Sequence, residues 1–344
     1  MTLLEDLAKL WQMLGESSEW LLSRYCFPKK ILMGLCCDLG PFLERQTSHM
    51  NPIPVQIQLL SALGFFATGT FQREIGSVGS VGISQPTLSQ IMPSVLDAII
   101  SLSPKYIQFP WTNQQQVIIK QEFYTIVGFP NTIGALDCTL IAIKTPSQYK
   151  FYYVNRKGFH SIKVQIIADS HLNILNFVAR WPGGTHNSFI VRNSSVGVRL
   201  DRGNDEDGWH IGECDSYALK PWLMTPIPNP ATVQEQNYNR AHVQTRSTVE
   251  CVICLLKCRW LCLSSIRGTL QYQPEKVCHI IMARCVLHNL AIRQGIPLQE
   301  SPIPDPPMPD ADSVLYRLLI AGFLLYLDFA YSITSGLSLW CILT

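Results

Sequence analysis

Three acidic residues far apart in a chain of 344, Asp137, Asp215 and Glu250, are of a type that can hold divalent cations. Asp137 interrupts an otherwise apolar, β-prone run, Ile133–Ile143. A carboxylate inside a buried strand must be paired, hydrogen-bonded or bound to metal, because an isolated buried charge is very costly. Asp215 follows a short strand expected at Trp209–Cys214, and Glu250 closes Arg246-Ser247-Thr248-Val249-Glu250 within a long helix. A strand centre, a strand end and a helix packed beside the sheet can bring three carboxylates to one sheet margin. Oxygen ligands of this kind suit a hard divalent cation such as Mg²⁺ or Mn²⁺. Two such ions roughly 3.5–4 Å apart activate a water and stabilise a leaving oxygen, the chemistry of phosphodiester hydrolysis. A chain of this length contains many Asp/Glu triplets, so spacing alone does not select this one.

Other reactive side chains read more plainly. Cys251, Cys254, Cys258 and Cys262 fall three, four and four positions apart, along one helical face. One straight helix cannot wrap four sulfurs around an ion, and free cysteines pack as small apolar residues, so this is a packing stripe. Arg156, Lys157 and Lys163 admit two readings, a strip tracking phosphates beside the acids or a solvated hairpin. His186 and His242 read as hydrogen-bonded structural histidines, since magnesium prefers carboxylate oxygen to imidazole.

The elements that must position the acids change character along the chain. Leu3, Leu7, Leu10, Trp11 and Leu14 form an amphipathic helical stripe. The turn Asn51-Pro52-Ile53-Pro54 precedes a helix over Val55–Gly69, and after the Gly/Ser stretch Gly76–Gly82 a helix starts at Ser84-Gln85-Pro86 and runs toward Ile100, with Pro93 inside it. The pair has the form of a helix-turn-helix, offering Ser84, Gln85, Thr87, Ser89 and Gln90 to a groove. No Lys or Arg lies between Glu74 and Lys105 to anchor phosphate, which favours a structural helical pair. From residue 132 strands take over: Ile133–Ile143, Ser161–Asp169, Leu172–Arg180 and Trp209–Cys214. A helix over Thr185–Val198 interrupts them, and long helices over Glu235–Cys262 and Gln273–Arg293 follow. The order predicts an α/β domain with a mixed sheet, preceded by an α-helical N-terminal domain.

Strings of residues inside this region carry a family resemblance. They are Ile133-Gly134-Ala135-Leu136-Asp137-Cys138-Thr139, Val154-Asn155-Arg156-Lys157-Gly158-Phe159-His160-Ser161 and Arg180-Trp181-Pro182-Gly183-Gly184-Thr185-His186. The segment Tyr217–Pro226 follows, then Tyr238-Asn239-Arg240-Ala241-His242, Leu256-Lys257-Cys258-Arg259-Trp260 and Leu287-His288-Asn289. In this order, over residues 50–295, they resemble the Harbinger transposase-derived nuclease family. The resemblance implies an RNase H-like DDE nuclease fold, divalent-metal-dependent DNA cleavage, and residence in nucleus and cytoplasm. It also implies a separate Myb-like protein that supplies DNA binding and nuclear import. Asp137 takes the place of the first acid and Glu250 that of the third.

The second acid stays open. The family pattern Gly-Asp-Ser-Gly-Tyr meets Gly212-Glu213-Cys214-Asp215-Ser216-Tyr217 here: ungapped alignment on Tyr217 puts Cys214 at the acid's place, Glu213 directly follows the glycine, and the Asp-Ser pair favours Asp215. One residue of slip on a strand reverses the face. Further departures are Asn187 in place of an acid, Cys251 in place of an arginine, and Cys254 and Cys258 in place of glycines. A catalytically inactive derivative, serving as a DNA- or protein-binding module, is therefore the alternative reading.

Bulk properties fit a buried enzyme. Hydrophobic residues make up 47% and charged residues 15%, which argues against disorder, and the net charge of +2 gives little general attraction to DNA. Twelve cysteines without an apolar leader in Met1–Trp20, which carries Glu5, Asp6, Lys9, Glu16 and Glu19, point to reduced thiols. The expected domains are a helical region over 1–110, a nuclease domain over 130–295, a Pro-rich linker over 296–313 and an atypical apolar tail over 314–344. That tail is long enough to span a membrane, but Asp328 falls near its middle, where a charge costs roughly 2.5–3.5 kcal/mol on insertion scales. Membrane anchoring is not expected. A chain ending at Asp312 should distribute between membrane and soluble fractions as the intact chain does; release of protein from membranes on truncation would contradict this.

Overall fold

The computed structural model describes residues 15, 17–44, 53–69, 83–203, 209–212, 217, 219–265 and 268–298. The chain divides into two units, Met1–Gln299 and Glu300–Thr344, and every described residue belongs to the first. The stripe of Leu3 to Leu14, the Gly76–Gly82 stretch, most of the 296–313 linker and the 314–344 tail lie outside the described residues.

Local chemistry sets the ends of most elements. Helix α1 (Ser18–Tyr25) starts where the Ser17 side chain accepts from Trp20 N, and α2 (Lys29–Leu43) follows Pro28. Helix α3 (Val55–Thr68) ends at Gly69, whose φ of +65° favours glycine. A Cβ there would also approach the Leu261 carbonyl carbon and oxygen at 3.0 Å. Ser84 caps α4 (Gln85–Ser101) by accepting from Thr87 N, as expected. Thr112 and Gln115 form a capping box for α5 (Asn113–Val127), a helix that sequence periodicity did not reveal.

Five strands follow the order β3-β2-β1-β4-β5. They are β1 (Thr132–Ala142), β2 (Ser161–Ala168), β3 (Ile174–Pro182), β4 (Trp209–Ile211) and β5 (Leu223–Met224). The first three pair antiparallel, with Asp137 opposite Ile166, while β4 runs parallel to β1 and β5 parallel to β4. The result is the mixed sheet expected, with β1 at its centre. Strand β3 begins later than expected because Leu172 sits at φ +66° in a turn, where Asp169 Oδ1 accepts from His171 N (3.0 Å) and Asn173 N (2.8 Å). Strand β5, only two residues long, leaves no periodicity to read.

The expected single helix over Thr185–Val198 is two: α6 (Asn187–Arg192) and α7 (Ser195–Asp201). Ser194 breaks it by capping α7, accepting from Gly197 N at 2.9 Å. Gly197 itself is required, since a Cβ there would collide with the Val191 carbonyl oxygen at 1.9 Å. Two long helices complete the unit. A capping box of Thr232 and Glu235 starts α8 (Val233–Arg259), and Pro274 begins α9 (Pro274–Arg293). Backbone N–H groups of Thr232 and Ala231 hold the Glu235 carboxyl below its usual range.

Alternation along β1 separates the sheet's two faces. Leu136 joins Ile167, Val191, Val196, Leu200, Trp222 and Leu223 in an apolar cluster under α6 and α7. Its neighbour Asp137 turns the other way, toward α8. Helices α3 and α4 pack on one another, and α4 packs on α9, so the helical pair buries its apolar side, including Leu88, Ile91, Met92 and Val95. Ser84, Gln85, Ser89 and Gln90 remain exposed.

Asn289 ties these layers together. Its Oδ1 accepts from Ile174 N (2.8 Å), and its Nδ2 donates to Ile174 O (2.7 Å) and Tyr106 O (2.9 Å), all without solvent exposure. Removing one partner of a buried hydrogen bond costs about 1–3 kcal/mol for each group left unsatisfied. Asn289→Ala should therefore lower unfolding free energy by about 3 kcal/mol or more in urea titration; a loss below about 1 kcal/mol would show that water replaces the amide.

Candidate active site

One guanidinium gathers the two acids whose side chains are described. Arg246 Nη1 lies 3.5 Å from Asp137 Oδ2, and Arg246 Nη2 lies 2.7 Å from Glu250 Oε1. Arg246 and Glu250 stand one turn apart on α8, the i,i+4 spacing that favours such a pair. Asp137 arrives from the sheet instead, and its Oδ1 accepts from the adjacent Cys138 N at 2.6 Å. The three side chains are 17%, 13% and 20% exposed for Arg246, Asp137 and Glu250, so the cluster is shielded yet reachable from solvent.

The arrangement brings carboxylates from two elements within the span of one planar cation. Two ions roughly 3.5–4 Å apart, with oxygen ligands at about 2.1 Å, reach across roughly 8 Å. Asp137 and Glu250 thus present carboxylate oxygens on either side of one guanidinium. Glu213 and Asp215 lie outside the described residues, and among the described residues no three of His, Cys, Asp and Glu gather as a metal-binding group. The flanks of that segment are anchored. Ile211, the last residue of β4, pairs with Ala135, two positions before Asp137. Gly212 N donates to Met224 O at 3.0 Å, and the Tyr217 hydroxyl lies 3.2 Å from Cys138 Sγ.

Helix α8 has to be aimed before Glu250 can meet Asp137, and the string Tyr238-Asn239-Arg240-Ala241-His242 does the aiming. The Tyr238 hydroxyl donates to Thr225 O at 3.0 Å. Asn239 accepts from Ile227 N at 2.8 Å and donates to Ile227 O at 2.9 Å. His242 Nε2 lies 3.1 Å from Met224 O, and burial pushes this imidazole down to about 4, so it is neutral and donates. Sequence reading took His242 as a structural histidine without its partner, and it gave Tyr238 and Asn239 no role. The polar residues at positions 238, 239 and 242, spaced to share one side of a helix, were the available signal.

The far end of α8 is fixed too. Lys257 Nζ donates to Leu140 O on β1 at 3.4 Å, and burial pushes its ammonium down to about 8. Cys251 is buried in the core, where loss of solvent pushes its thiol up to about 11. Cys262 is buried as well, in the turn after the helix, while Cys254 and Cys258 place their sulfurs 3.7 Å apart. Lys163 Nζ donates to Thr185 O at 2.5 Å, on the sheet face opposite Asp137, so Lys163 does not join the acids. His186 caps α6 through Ser188.

A family model described as DDE superfamily endonuclease matches residues 136–289, from the edge of Asp137 to the Asn289 clamp. The Mus musculus protein named "Putative nuclease HARBI1" is 38% identical over 290 residues, covering 84% of this chain and 82% of its own. HARBI1 of Homo sapiens is 36% identical over the same shares. Protein ALP1-like of Arabidopsis thaliana is 24% identical over 289 residues, 78% of this chain and 68% of its own. No solved structure matches the chain.

Two buried histidines give the unit an acid-sensitive stability. His288 Nε2 donates to Leu172 O at 3.0 Å, and burial pushes it, like His242, down to about 4. Each folded-state value lies below the ordinary 6.5, so the unfolded chain binds the extra protons. Stability is then full above about pH 6.5 and falls toward pH 4, by up to about 1.4 kcal/mol per pH unit for each histidine. Urea midpoints should drop between pH 7 and pH 5; an unchanged midpoint would contradict two neutral, buried imidazoles.

Proposed function

We propose, for a chain that belongs to the Harbinger transposase-derived nuclease family, that it hydrolyses DNA phosphodiester bonds with divalent cations held by Asp137, Asp215 and Glu250. The observation that carries this reading is the meeting of Asp137 and Glu250 on Arg246. Two acids separated by 113 positions in sequence share one counter-ion at the centre of the sheet. The strand order, with β1 central, antiparallel to β2 and parallel to β4, suits the RNase H-like fold that the family resemblance implies.

The donor set fits a hard cation: carboxylate oxygens, partly shielded, one from the sheet and one from the helix. Held by these carboxylates, Mg²⁺ or Mn²⁺ would supply positive charge at the phosphate and a more acidic water. The chain's own residues do the positioning. Cys138 N–H holds one Asp137 oxygen in place. Helix α8, locked to β5 and the 225–227 segment, holds Glu250 against the sheet. Arg246 balances the two carboxylates, the charge that a bound cation would also supply. Asp215, or Glu213 two residues before it, supplies the second acid from the chain that follows β4.

With a net charge of +2 giving little general attraction to duplex DNA, a Myb-like partner adds to the chain's own DNA contacts and brings it into the nucleus, and the chain resides in nucleus and cytoplasm. No helix among the described residues is long and apolar enough to cross a membrane. The helical N-terminal region serves as support for the nuclease domain, since α4 buries its apolar side on α9.

DNA cleavage in Mg²⁺ or Mn²⁺ should fall by about a hundred-fold or more in Asp137→Ala and in Glu250→Ala, given the several kcal/mol that metal-ion stabilisation supplies. Of Glu213→Ala and Asp215→Ala, only the variant lacking the true second acid should match that loss. Equal residual activity in the intact chain and all four variants would remove catalysis from this site. DNA binding without any cleavage by the intact chain would instead favour the inactive binding module.

A further inference from the structure

Between β1 and β2 the chain makes an excursion, residues 143–160, that the acidic site does not use. No acid occurs between Asp137 and Asp169, while Lys144, Lys150, Arg156, Lys157 and Lys163 all fall there. The first four are exposed. Among them three large aromatics face water: Tyr149 is 73% exposed, Phe151 80% and Tyr152 68%. Tyr149 and Tyr152 stand with ring centres 6.3 Å apart, and Lys150 Nζ sits 5.3 Å over the Phe151 ring.

This display is built on a fixed frame. A β-bridge joins Val154 to His160, and the buried Asn155 donates to Ser161 Oγ at 2.8 Å while accepting from Lys157 N at 2.8 Å. Gly183 N donates to Ser161 O at 2.8 Å, and Gly184 N donates to Tyr152 O at 3.1 Å. A Cβ on Gly183 would meet Ser161 Oγ at 2.0 Å, and one on Gly184 would meet Tyr152 O at 2.8 Å. Two of the family strings thus serve to clamp this excursion to the end of β3, with the rings turned outward. Burial, and after it the nearby Glu275 charge, raises the Tyr153 phenol on its inner side.

We infer that residues 144–157 form a docking surface for unpaired DNA next to the scissile phosphate. Exposed rings between lysines match what single strands offer, since each base has a face to stack and each phosphate a charge to neutralise. A paired duplex hides its base faces, so it would use the cations and leave the rings idle. The distance is suitable: from Asp137 to the end of β1 at Ala142 the strand covers about 16 Å. The inference rests on the nuclease reading for its choice of DNA, and its readout is binding rather than cleavage.

The test uses the full chain with a fluorescein-labelled dT 12-mer and a labelled duplex of equal length, followed by anisotropy. The triple variant Tyr149→Ala, Phe151→Ala, Tyr152→Ala should bind the single strand about ten-fold or more weakly, with duplex affinity and thermal midpoint unchanged. The variant Lys150→Ala, Arg156→Ala, Lys157→Ala should weaken both and reduce the single-strand salt slope by about two, at roughly 0.7 per phosphate contact. The inference is overturned if the intact chain does not bind the single strand, if the aromatic variant retains its affinity, or if duplex binding falls by the same factor. A chain that shows the aromatic effect but never cleaves DNA would refute the nuclease reading and leave the docking surface standing.

Discussion

Carboxylates set into a sheet and an adjoining helix repel one another and resist burial, so the centre of this molecule needs a positive charge between them. Arg246 supplies it, reaching Asp137 at 3.5 Å and Glu250 at 2.7 Å. The geometry constrains everything around it. Helix α8 must lie across β1 at one depth and one rotation, or the guanidinium reaches one acid and leaves the other uncompensated in a shielded site. An uncompensated charge there costs far more than an exposed one, because water cannot replace the missing partner.

That requirement explains where the polar side chains of the unit are spent. Tyr238, Asn239 and His242 satisfy backbone groups of the 224–227 segment, locking the first half of α8 to β5. Lys257 holds the second half to Leu140. His288 and Asn289 bind the entry to β3, so the sheet cannot shift against α9. Most of the strings that mark the family are thus not reactive groups. They satisfy buried backbone donors and acceptors, for which water is no longer available.

The departures from the family pattern fall partly into the same framework. Cys251 is a buried residue on α8 beside Glu250, and Asn187 is buried at the start of α6. Both positions belong to packing in this chain, whereas the Asp137–Arg246–Glu250 cluster is intact. The basic and aromatic excursion after β1 is equally preserved as a folded feature, held by Asn155 and the Gly183-Gly184 pair.

The amino-acid sequence by itself determined the long strands, the helices α3, α4, α8 and α9, the capping at Ser84 and the acidic identity of Asp137 and Glu250, because period, cap and residue type are local properties. It could not show α5, whose exposed Val117, Ile118 and Tyr124 blur the apolar stripe, or β5, too short to have a period. The break of one helix into α6 and α7 also escaped it, since Gly197 is needed only where the Val191 carbonyl comes close. That Arg246 rather than any other cation joins the two acids was decided by tertiary structure alone. A pairing across more than a hundred residues depends on how a helix is laid on a sheet, and no spacing along the chain encodes that angle.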